Sequence, residues 1–487
     1  MSSTKKKLLR SSGLLILAKT VQRSLSIVSV LILARLLSPE DFAVVAISGL
    51  VLYFCETLSS TGSEPYIVRK YRVTRKDLST AWTLDLILKF IVFSLLVISI
   101  PFISDFYADP RLKPVLYAAS SILLINAIKS PGLIILKRNL EYRRIFFLMV
   151  SQKIISFTVV VSIAFFQKSY WALIIGDIIS AITLMIGSYL IHYFRPRFSL
   201  TCWKEQWLFS KWILFRASIG YGKSQMDSLL VSKFFAPAEL GAFYMSKNLS
   251  TLPSTDITGP AVEPLLATFS KSKDSFFELN QQISKAFFLV GTMFIPIGVF
   301  MIFFPNHIIN FFFWSGWEPA YGILPPLSLI LMIIGVGQVL NQGFMALGAV
   351  RQLFIYEVFG VISLGFILYI SRNTQIDEFS WIRAWLSVGL FTLLAVYFRW
   401  VFGYFVERAF LLLIPVSVIA VISALLTIEL NIMSTSSNSI VILFMSASFY
   451  FAIFTLLTLL YIYIIRNRSY EANLVFKSAK EIYHRFT

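Results

Sequence analysis

Fourteen apolar stretches, each close to the length of one bilayer crossing, constrain this chain more than any other feature. A membrane-spanning helix needs about 20 mostly apolar residues. Spans 1 to 7 cover 13–37, 42–59, 81–103, 113–136, 147–167, 171–193 and 211–235. Spans 8 to 14 cover 240–268, 286–304, 321–346, 353–371, 381–403, 409–428 and 439–465. The sequence therefore predicts an all-α polytopic membrane protein with about 14 transmembrane helices.

The composition agrees with this class and argues against an enzyme. Hydrophobic residues make up 57% of the 487 residues and charged residues 14%, whereas soluble domains are about 25% charged. Fourteen spans leave no room for a soluble catalytic domain. The three histidines, His192, His307 and His484, are far apart in sequence, which gives no support for a metal site or a catalytic triad. We therefore expect no enzymatic activity, no metal and no cofactor.

Basic residues in the loops indicate the orientation. Counting loops from a cytosolic N-terminus, the even loops and the C-terminal tail hold most of the Lys and Arg residues. These are Arg69, Lys70, Arg72, Arg75, Lys76, Lys137, Arg138, Arg143, Arg144, Arg195, Arg197, Lys204, Lys271, Lys273, Lys285, Arg351, Arg408, Arg466, Arg468, Lys477, Lys480 and Arg485. The odd loops hold little more than Arg111, Lys113, Lys168 and Arg372. Short basic loops stay inside, so we predict that both termini are cytosolic.

The formal net charge of +18 has the same explanation. On a soluble protein such a charge would suggest a nucleic-acid partner. Here most of it follows from topology, so we expect membrane lipids and no nucleic acid as partners.

An internal repeat divides the chain. LARLLSPEDFAVVA, residues 33–46, aligns without gaps with VSKFFAPAELGAFY, residues 231–244, which matches Pro39 with Pro237. A second match, TGSEP from residue 61 and TGPAVEP from residue 258, follows in the same order. We interpret the chain as two pseudo-symmetric six-helix lobes, 1–204 and 205–403, with spans 13 and 14 and the tail in 404–487. Paired repeats of this kind are common in transporters, with the substrate path between them.

Charged residues within the spans mark candidate functional positions. A Lys, Arg or Asp at the centre of a lone helix costs about 2.5–3.5 kcal/mol on insertion, so such residues face protein or a wet cavity. In span 7, Arg216, Lys223 and Asp227 share one helical face with Gly220. This spacing predicts a stripe that lines the lumen.

Further embedded charges repeat the pattern. Lys19 and Arg23 lie one turn apart in span 1, although Lys19 could instead extend to the cytosolic interface. Asp85 and Lys89 in span 3 have the spacing of an internal ion pair. The remaining candidates are Lys129, Lys153, Asp177, Lys247, Asp256, Glu263 and Glu357.

The signs of these charges suggest two roles. We assign the bases Lys19, Arg23, Lys89, Lys129, Lys153, Arg216, Lys223 and Lys247 to a cationic lumen that binds an anionic substrate group. We assign the acids Asp85, Asp177, Asp227, Asp256, Glu263 and Glu357 to counter-ions or to coupling-ion binding. Span 8, polar and rich in Pro over residues 250–264, is predicted to be an interrupted helix that lines the cavity, with a simple Pro kink as the alternative.

Several motifs resemble one transporter family. LILARLLSPEDFAVVAIS, from Leu31, closely resembles the opening motif of the polysaccharide transporter branch of the multidrug/oligosaccharidyl-lipid/polysaccharide exporter superfamily, the Wzx-like flippases. DLSTAWTLDLIL from Asp77, FYADPRLKPVL from Phe106 and YWALIIGDI from Tyr170 are similar in the same order. FSKWILFRASIGYGKSQMDSLLVSKFFAPAELGAFY, from Phe209, includes an aspartate, Asp227, that the family motif usually carries.

This resemblance implies two six-helix bundles around a V-shaped cavity, as in multidrug exporters and lipid precursor flippases. It also implies translocation of an undecaprenyl-pyrophosphate-linked oligosaccharide across the bacterial cytoplasmic membrane by alternating access, driven by a gradient of H⁺ or Na⁺. The alternatives are a cell-wall lipid precursor flippase, a cation-coupled exporter of the same superfamily, and a non-transporting partner of a polysaccharide polymerase. We expect a monomer that binds a lipid-linked oligosaccharide and membrane lipids, with polymerase machinery as a further candidate partner.

Overall fold

The computed structural model describes residues 3–60, 62–70, 72–139, 141–272, 274–313, 316–403, 407–430 and 439–465. Within these ranges every regular element is helical. The first nine α-helices are α1 (Ser3–Leu36), α2 (Pro39–Leu58), α3 (Ser63–Arg69), α4 (Arg75–Tyr107), α5 (Leu112–Ile128), α6 (Gly132–Arg138), α7 (Tyr142–Gln167), α8 (Trp171–Ile191) and α9 (Trp203–Phe234). The others are α10 (Pro237–Lys271), α11 (Phe276–Phe303), α12 (Pro305–Phe312), α13 (Pro319–Ala346), α14 (Val350–Ile370), α15 (Ile376–Phe402), α16 (Glu407–Glu429) and α17 (Ser439–Ile465).

These helices confirm the all-α polytopic class. Eleven helical segments in the described part of the chain are long and apolar enough to cross a membrane, or up to 12 if α5 and α6 form one bent span. The two helices that correspond to spans 7 and 8, α9 and α10, are outside this set. Both contain several charged residues within their length. The predicted count of 14 spans is therefore not confirmed.

The helices form two compact units, Met1–Gly241 and Ala242–Thr487, which we call unit 1 and unit 2. In unit 1, α7 packs on both α1 and α8, and α5 packs on α2, α4 and α8. In unit 2, α11 packs on α13 and α16, and α13 packs on α15. The predicted lobes 1–204 and 205–403 were defined by the sequence repeat, whereas the two units are defined by how the helices pack. The lobes stay a prediction.

The two Pro turns of the repeat have the same local structure. Pro39 begins α2, and the carboxylate of Asp41 accepts a hydrogen bond from the Ser38 backbone N–H at 3.2 Å. Pro237 begins α10, and the carboxylate of Glu239 accepts one from the Ala236 N–H at 2.9 Å. An acid at the third helical position satisfies a backbone donor in both copies. The repeat thus reproduces a helix start as well as a sequence pattern.

The second turn also packs directly against the first. A Cβ atom added to Gly241, one turn into α10, would collide with the backbone carbonyl of Pro39. We expect Gly241→Ala to lower the thermal stability of the detergent-solubilised protein, by about 1–2 kcal/mol, because a backbone segment must move. The matched control is Gly220→Ala in α9, where no atom lies within 4 Å of the added Cβ. Equal unfolding temperatures for the two variants would contradict the close contact.

The structure places the helix interruption elsewhere than the sequence did. α10 runs without a break through residues 250–264, so the predicted interruption of span 8 is wrong. Proline is tolerated within membrane helices where neighbouring groups satisfy the freed backbone. The break lies instead between α5 and α6, which are bent by 62° at Lys129–Pro131. There the Ile128 carbonyl accepts hydrogen bonds from Tyr189 Oη at 2.6 Å and Trp82 Nε1 at 3.4 Å.

The Lys/Arg asymmetry makes a topological prediction. Reporters fused after Arg75, after Arg144 or at the C-terminus should be cytosolic, and reporters at Asp109 or Ser315 should be external. Ser315 and the C-terminus lie outside the described residues. Protease or alkaline-phosphatase fusions measure each position, and a single reporter on the opposite side would mean that a span is miscounted.

Candidate functional site

Polar contacts between helices fix the register of α1, α7 and α8 in unit 1. Gln22 Nε2 in α1 donates to the Met149 carbonyl of α7 at 3.1 Å. On the next turn of α7, Gln152 Nε2 donates to Ser180 Oγ of α8 at 2.8 Å. Ser156 Oγ, one turn further, donates to the Gly176 carbonyl of α8 at 3.0 Å. These bonds hold the three helices at one relative height within the span.

Three charged residues lie beside these bonds, and a fourth interacts with one of them. Arg23 follows Gln22, Lys153 follows Gln152, and Asp177 follows Gly176. Lys153 interacts electrostatically with Asp177 and Arg23, and Asp177 interacts with both Lys153 and Glu56 of α2. We call Arg23, Glu56, Lys153 and Asp177 the four-charge cluster. It brings together three residues that the sequence singled out in separate spans.

The fourth member, Glu56, was missed by the sequence reasoning. Its Oε1 accepts a hydrogen bond from Asn126 Nδ2 of α5 at 3.0 Å. Glu56 lies near the end of span 2, within the apolar run VLYFCETL. Its place inside an apolar run was the available signal. With Glu56 included, the cluster contains two acids and two bases and is formally neutral.

A second group of charges surrounds the break between α5 and α6. Lys89 and Asp85 of α4 form an ion pair at 2.5 Å, as their spacing predicted. Lys129, at the break, interacts electrostatically with both and is partly buried. Glu64 of α3 and Lys137 of α6 form a second ion pair at 2.6 Å, and both residues also interact electrostatically with Lys129. Lys89 and Lys129, both predicted to line the lumen, therefore belong to one group of charges, and Lys89 is paired with the carboxylate of Asp85.

The predicted stripe of span 7 is described only in part. Asp227 is 5% exposed, and its carboxylate accepts a hydrogen bond from the Ser228 backbone N–H at 2.8 Å. Lys223 is partly buried. The same helix packs on α2, where Tyr221 Oη donates to the Leu50 carbonyl at 2.9 Å. The side chain of Arg216 lies outside the described part, so the lumen-facing stripe stays a prediction.

The other predicted residues are scattered. Lys19 is exposed, which fits a side chain that extends to the interface. Lys247 in α10 and Glu357 in α14 are partly buried in unit 2. The side chains of Asp256 and Glu263 lie outside the described part. Sequence reasoning also missed Arg383, a partly buried base within α15 whose guanidinium contacts Ser387.

Protonation of one acid would change the charge balance of the four-charge cluster. An ion deep in a membrane protein is tolerated when it is paired or faces a wet cavity. A proton on Asp177 or Glu56 would leave the bases in excess, and an anionic group could then replace the carboxylate beside Lys153. The cluster therefore contains both protonatable acids and bases with which an anion could pair.

Unit 2 contains a cavity of a different kind. It measures about 280 Å³ and lies among α10, α11, α12 and α17. Its walls are apolar side chains, among them Leu252, Ile297, Met301, Phe312, Phe444 and Phe451. Such a surface suits hydrocarbon and offers no side-chain hydrogen bonds to a sugar.

Comparisons with known sequences place these features in context. The profile of a family described as "Polysaccharide biosynthesis protein" matches residues 32–321. The lipopolysaccharide biosynthesis protein WzxC of Escherichia coli is 21% identical over 389 residues, which cover 75% of this chain and 79% of that protein. The succinoglycan biosynthesis transport protein ExoT of Rhizobium meliloti is 21% identical over 345 residues, 68% and 69% of the two chains.

Solved structures agree on the fold. A structure titled as the lipid II flippase MurJ in an inward closed conformation superposes with a TM-score of 0.74 and 16% identity, covering 92% of this chain and 98% of that one. A multidrug resistance transporter of the MATE family in an inward-facing conformation gives a TM-score of 0.62 and 12% identity, covering 78% and 94%. At these identities the likeness establishes a common fold and leaves the substrate open.

Proposed function

The chain belongs to the polysaccharide biosynthesis protein family, and we propose that it is a flippase that moves a lipid-linked oligosaccharide repeat unit across the bacterial cytoplasmic membrane. The carrier lipid in this proposal is undecaprenyl pyrophosphate, and the product is an exopolysaccharide, a capsule or an O-antigen. Transport would proceed by alternating access. The observation that carries the proposal is a polysaccharide-family match on a chain with the fold of lipid and drug transporters.

The embedded charges support an anionic substrate. Pyrophosphate carries negative charge that would be costly at membrane depth without cationic partners. Lys129, Lys89, Lys153 and Arg23 provide such partners in unit 1, and Lys223 and Arg216 are the proposed partners on span 7. We propose that carboxylates hold these bases in the empty state and release them to the substrate. Protonation of Asp177 would favour that release, which makes H⁺ the coupling ion that this cluster fits best.

Two other transport functions use the same fold. A cell-wall lipid precursor flippase would also move an anionic lipid-linked sugar, and the lipid II flippase is a close match in fold. A cation-coupled drug exporter would favour carboxylates over bases, which is not the balance in unit 1. The named relatives WzxC and ExoT belong to polysaccharide biosynthesis, which favours the repeat-unit substrate.

A flipping assay with purified full-length protein tests the proposal. Proteoliposomes would contain a fluorescent undecaprenyl-pyrophosphate oligosaccharide, lipid II, or undecaprenyl phosphate without a sugar, and an impermeant reagent would report the fraction in the outer leaflet. We expect the oligosaccharide lipid to move at least tenfold faster than in protein-free vesicles. Faster movement of lipid II than of the oligosaccharide lipid would favour the cell-wall function. No acceleration for any of the three lipids would contradict the flippase function.

A further inference from the structure

The segment between α8 and α9 has one side fixed to the protein. Residues 192–200 belong to no helix or strand, and the backbone N–H groups of Arg197, Ser199 and Cys202 donate to Ser79 Oγ, Thr83 Oγ1 and Thr80 Oγ1 of α4 at 3.0–3.4 Å. Phe194 is buried in an apolar cluster with Tyr66, Ile67 and Leu78. These contacts prevent the segment from folding away from α4.

The first turn of α9 continues the attachment. Gln206 is fully buried, and its Nε2 donates to the Asp77 carbonyl at 2.9 Å. Glu205, the only acidic residue between 193 and 208, is bonded to Lys70 Nζ at 3.2 Å. The negative charge of the segment is therefore already partnered.

The other side of the segment is exposed and amphipathic. Tyr193 and Phe198 are 78% and 74% exposed, and Leu208 is 62% exposed. Leu200, Trp203 and Trp207 are exposed as well. Three exposed cations, Arg195, Arg197 and Lys204, alternate with these apolar side chains.

We infer that residues 193–208 form a binding surface for anionic phospholipids of the cytosolic leaflet. The segment joins α8 to α9, the helix of predicted span 7, at the end where the Lys/Arg excess predicts the cytosolic side, so we place it at the height of the lipid headgroups. Trp, Tyr and Phe rings prefer that interface, and Lys and Arg beside them attract anionic lipid. The opposite side of the segment is hydrogen-bonded to α4 and continues into α9. Bound lipid would therefore also hold the N-terminal end of α9 against α4.

Charge and surface composition favour lipid over a soluble protein as the occupant. The apolar side chains project from a segment between α8 and α9, the helices of predicted spans 6 and 7, where acyl chains would be the nearest apolar phase. The neighbouring loop provides a matched comparison. Arg72, Arg75 and Lys76 are also exposed cations, but residues 72–76 expose no large apolar side chain.

Lipid binding by the purified full-length protein tests this inference. The test variant is Arg197→Gln with Lys204→Gln, and the control is Arg72→Gln with Lys76→Gln, which removes the same charge. Arg195 is left intact because its guanidinium donates to the His192 carbonyl at 2.8 Å at the end of α8. Native mass spectrometry would count bound phosphatidylglycerol and phosphatidylcholine during titration in detergent.

We expect the test variant to need about 25-fold more phosphatidylglycerol for half-saturation, since it lacks two cations and each cation near an anionic surface contributes about fivefold. The control should change less than threefold, and phosphatidylcholine binding should be unaffected.

A quenching experiment provides a second test. Brominated phosphatidylglycerol should quench the fluorescence of Trp203 and Trp207, so the quenched component should be absent from the variant Trp203→Phe with Trp207→Phe. An equal loss in test and control variants would overturn the inference. The inference would also be overturned if, in phosphatidylglycerol nanodiscs, the brominated lipid did not quench these tryptophans and a water-soluble quencher did. That result would indicate a soluble protein partner. Neither outcome depends on the oligosaccharide substrate, so the proposed function is tested separately.

Discussion

Replacing Arg23 by glutamate is expected to abolish glycan export while the protein stays in the membrane at normal abundance. Lys153 interacts electrostatically with both Arg23 and Asp177, and the hydrogen bonds of Gln22 and Gln152 fix the register of the three helices that carry them. Arg23→Glu would give the cluster three acids and one base, so a pyrophosphate would meet net negative charge at membrane depth. We expect surface glycan to fall more than tenfold in a strain that lacks its own flippase, measured against membrane abundance by immunoblot.

The conservative change separates charge from structure. Arg23→Lys keeps the positive charge and loses the planar guanidinium, so we expect part of the export activity to remain. Arg216→Glu should have the same effect as Arg23→Glu, a prediction that rests on the sequence of span 7 alone. Wild-type export in both charge reversals, at normal abundance, would remove the cationic-cavity mechanism and leave the family membership intact.

Removing the carboxylate of Asp77 is expected to cause the largest loss of stability among the changes considered. Asp77 is 1% exposed, and its two oxygens accept hydrogen bonds from the Thr74 backbone N–H, Thr74 Oγ1 and Lys70 Nζ, each at 2.9 Å. The bond to Asp77 raises the pKa of Lys70, which is therefore charged at neutral pH. Asp77→Ala would leave that cation and a helix-start N–H without their buried partner. We expect a loss of about 2–4 kcal/mol, since the cap and the ion pair are removed together.

The start of α2 offers a matched control. Ser38 and Asp41 form the same reciprocal capping arrangement as Thr74 and Asp77, but Asp41 is only partly buried. Asp41→Ala should therefore cost about 1 kcal/mol, the usual value for a helix cap. Thermal unfolding of the detergent-solubilised variants measures both. Equal losses for the two variants would show that Lys70 adds nothing to the Thr74 cap.

Local pattern was sufficient for most of the helices. Thirteen of the 14 apolar stretches each correspond to one helix, because an apolar run of this length has one stable backbone conformation in a bilayer; the fourth stretch, 113–136, is divided between α5 and α6. The Pro turns at Pro39 and Pro237 were also predictable, since proline and an acid at the third position define a helix start within four residues. Spacing alone identified the Asp85 and Lys89 ion pair, because residues four apart share a helical face.

Interruptions of helices were less predictable. The proline-rich residues 250–264 stay helical in α10, whereas the chain bends by 62° after α5. The bend is stabilised by partners far away in sequence. Ser130 N–H donates to Ser188 Oγ at 3.0 Å, and Ser130 Oγ donates to the Phe194 carbonyl at 3.2 Å. A local sequence carries no information about such partners, so a proline indicates where a break is possible and not where one occurs.

For the candidate site, the sequence predicted which charges lie at membrane depth, because the cost of an ion in lipid depends on its position along an apolar run. It named Arg23, Lys153 and Asp177 but gave no reason to connect them. Only the tertiary structure shows that Lys153 interacts electrostatically with Arg23 and Asp177, and that Asp177 also interacts with Glu56. Helical periodicity fixes the face of each helix, whereas the rotation and height of one helix against another depend on contacts such as Gln22 with Met149 and Ser156 with Gly176. Those contacts join residues 20 to 127 positions apart, and they arise only when the whole bundle has packed.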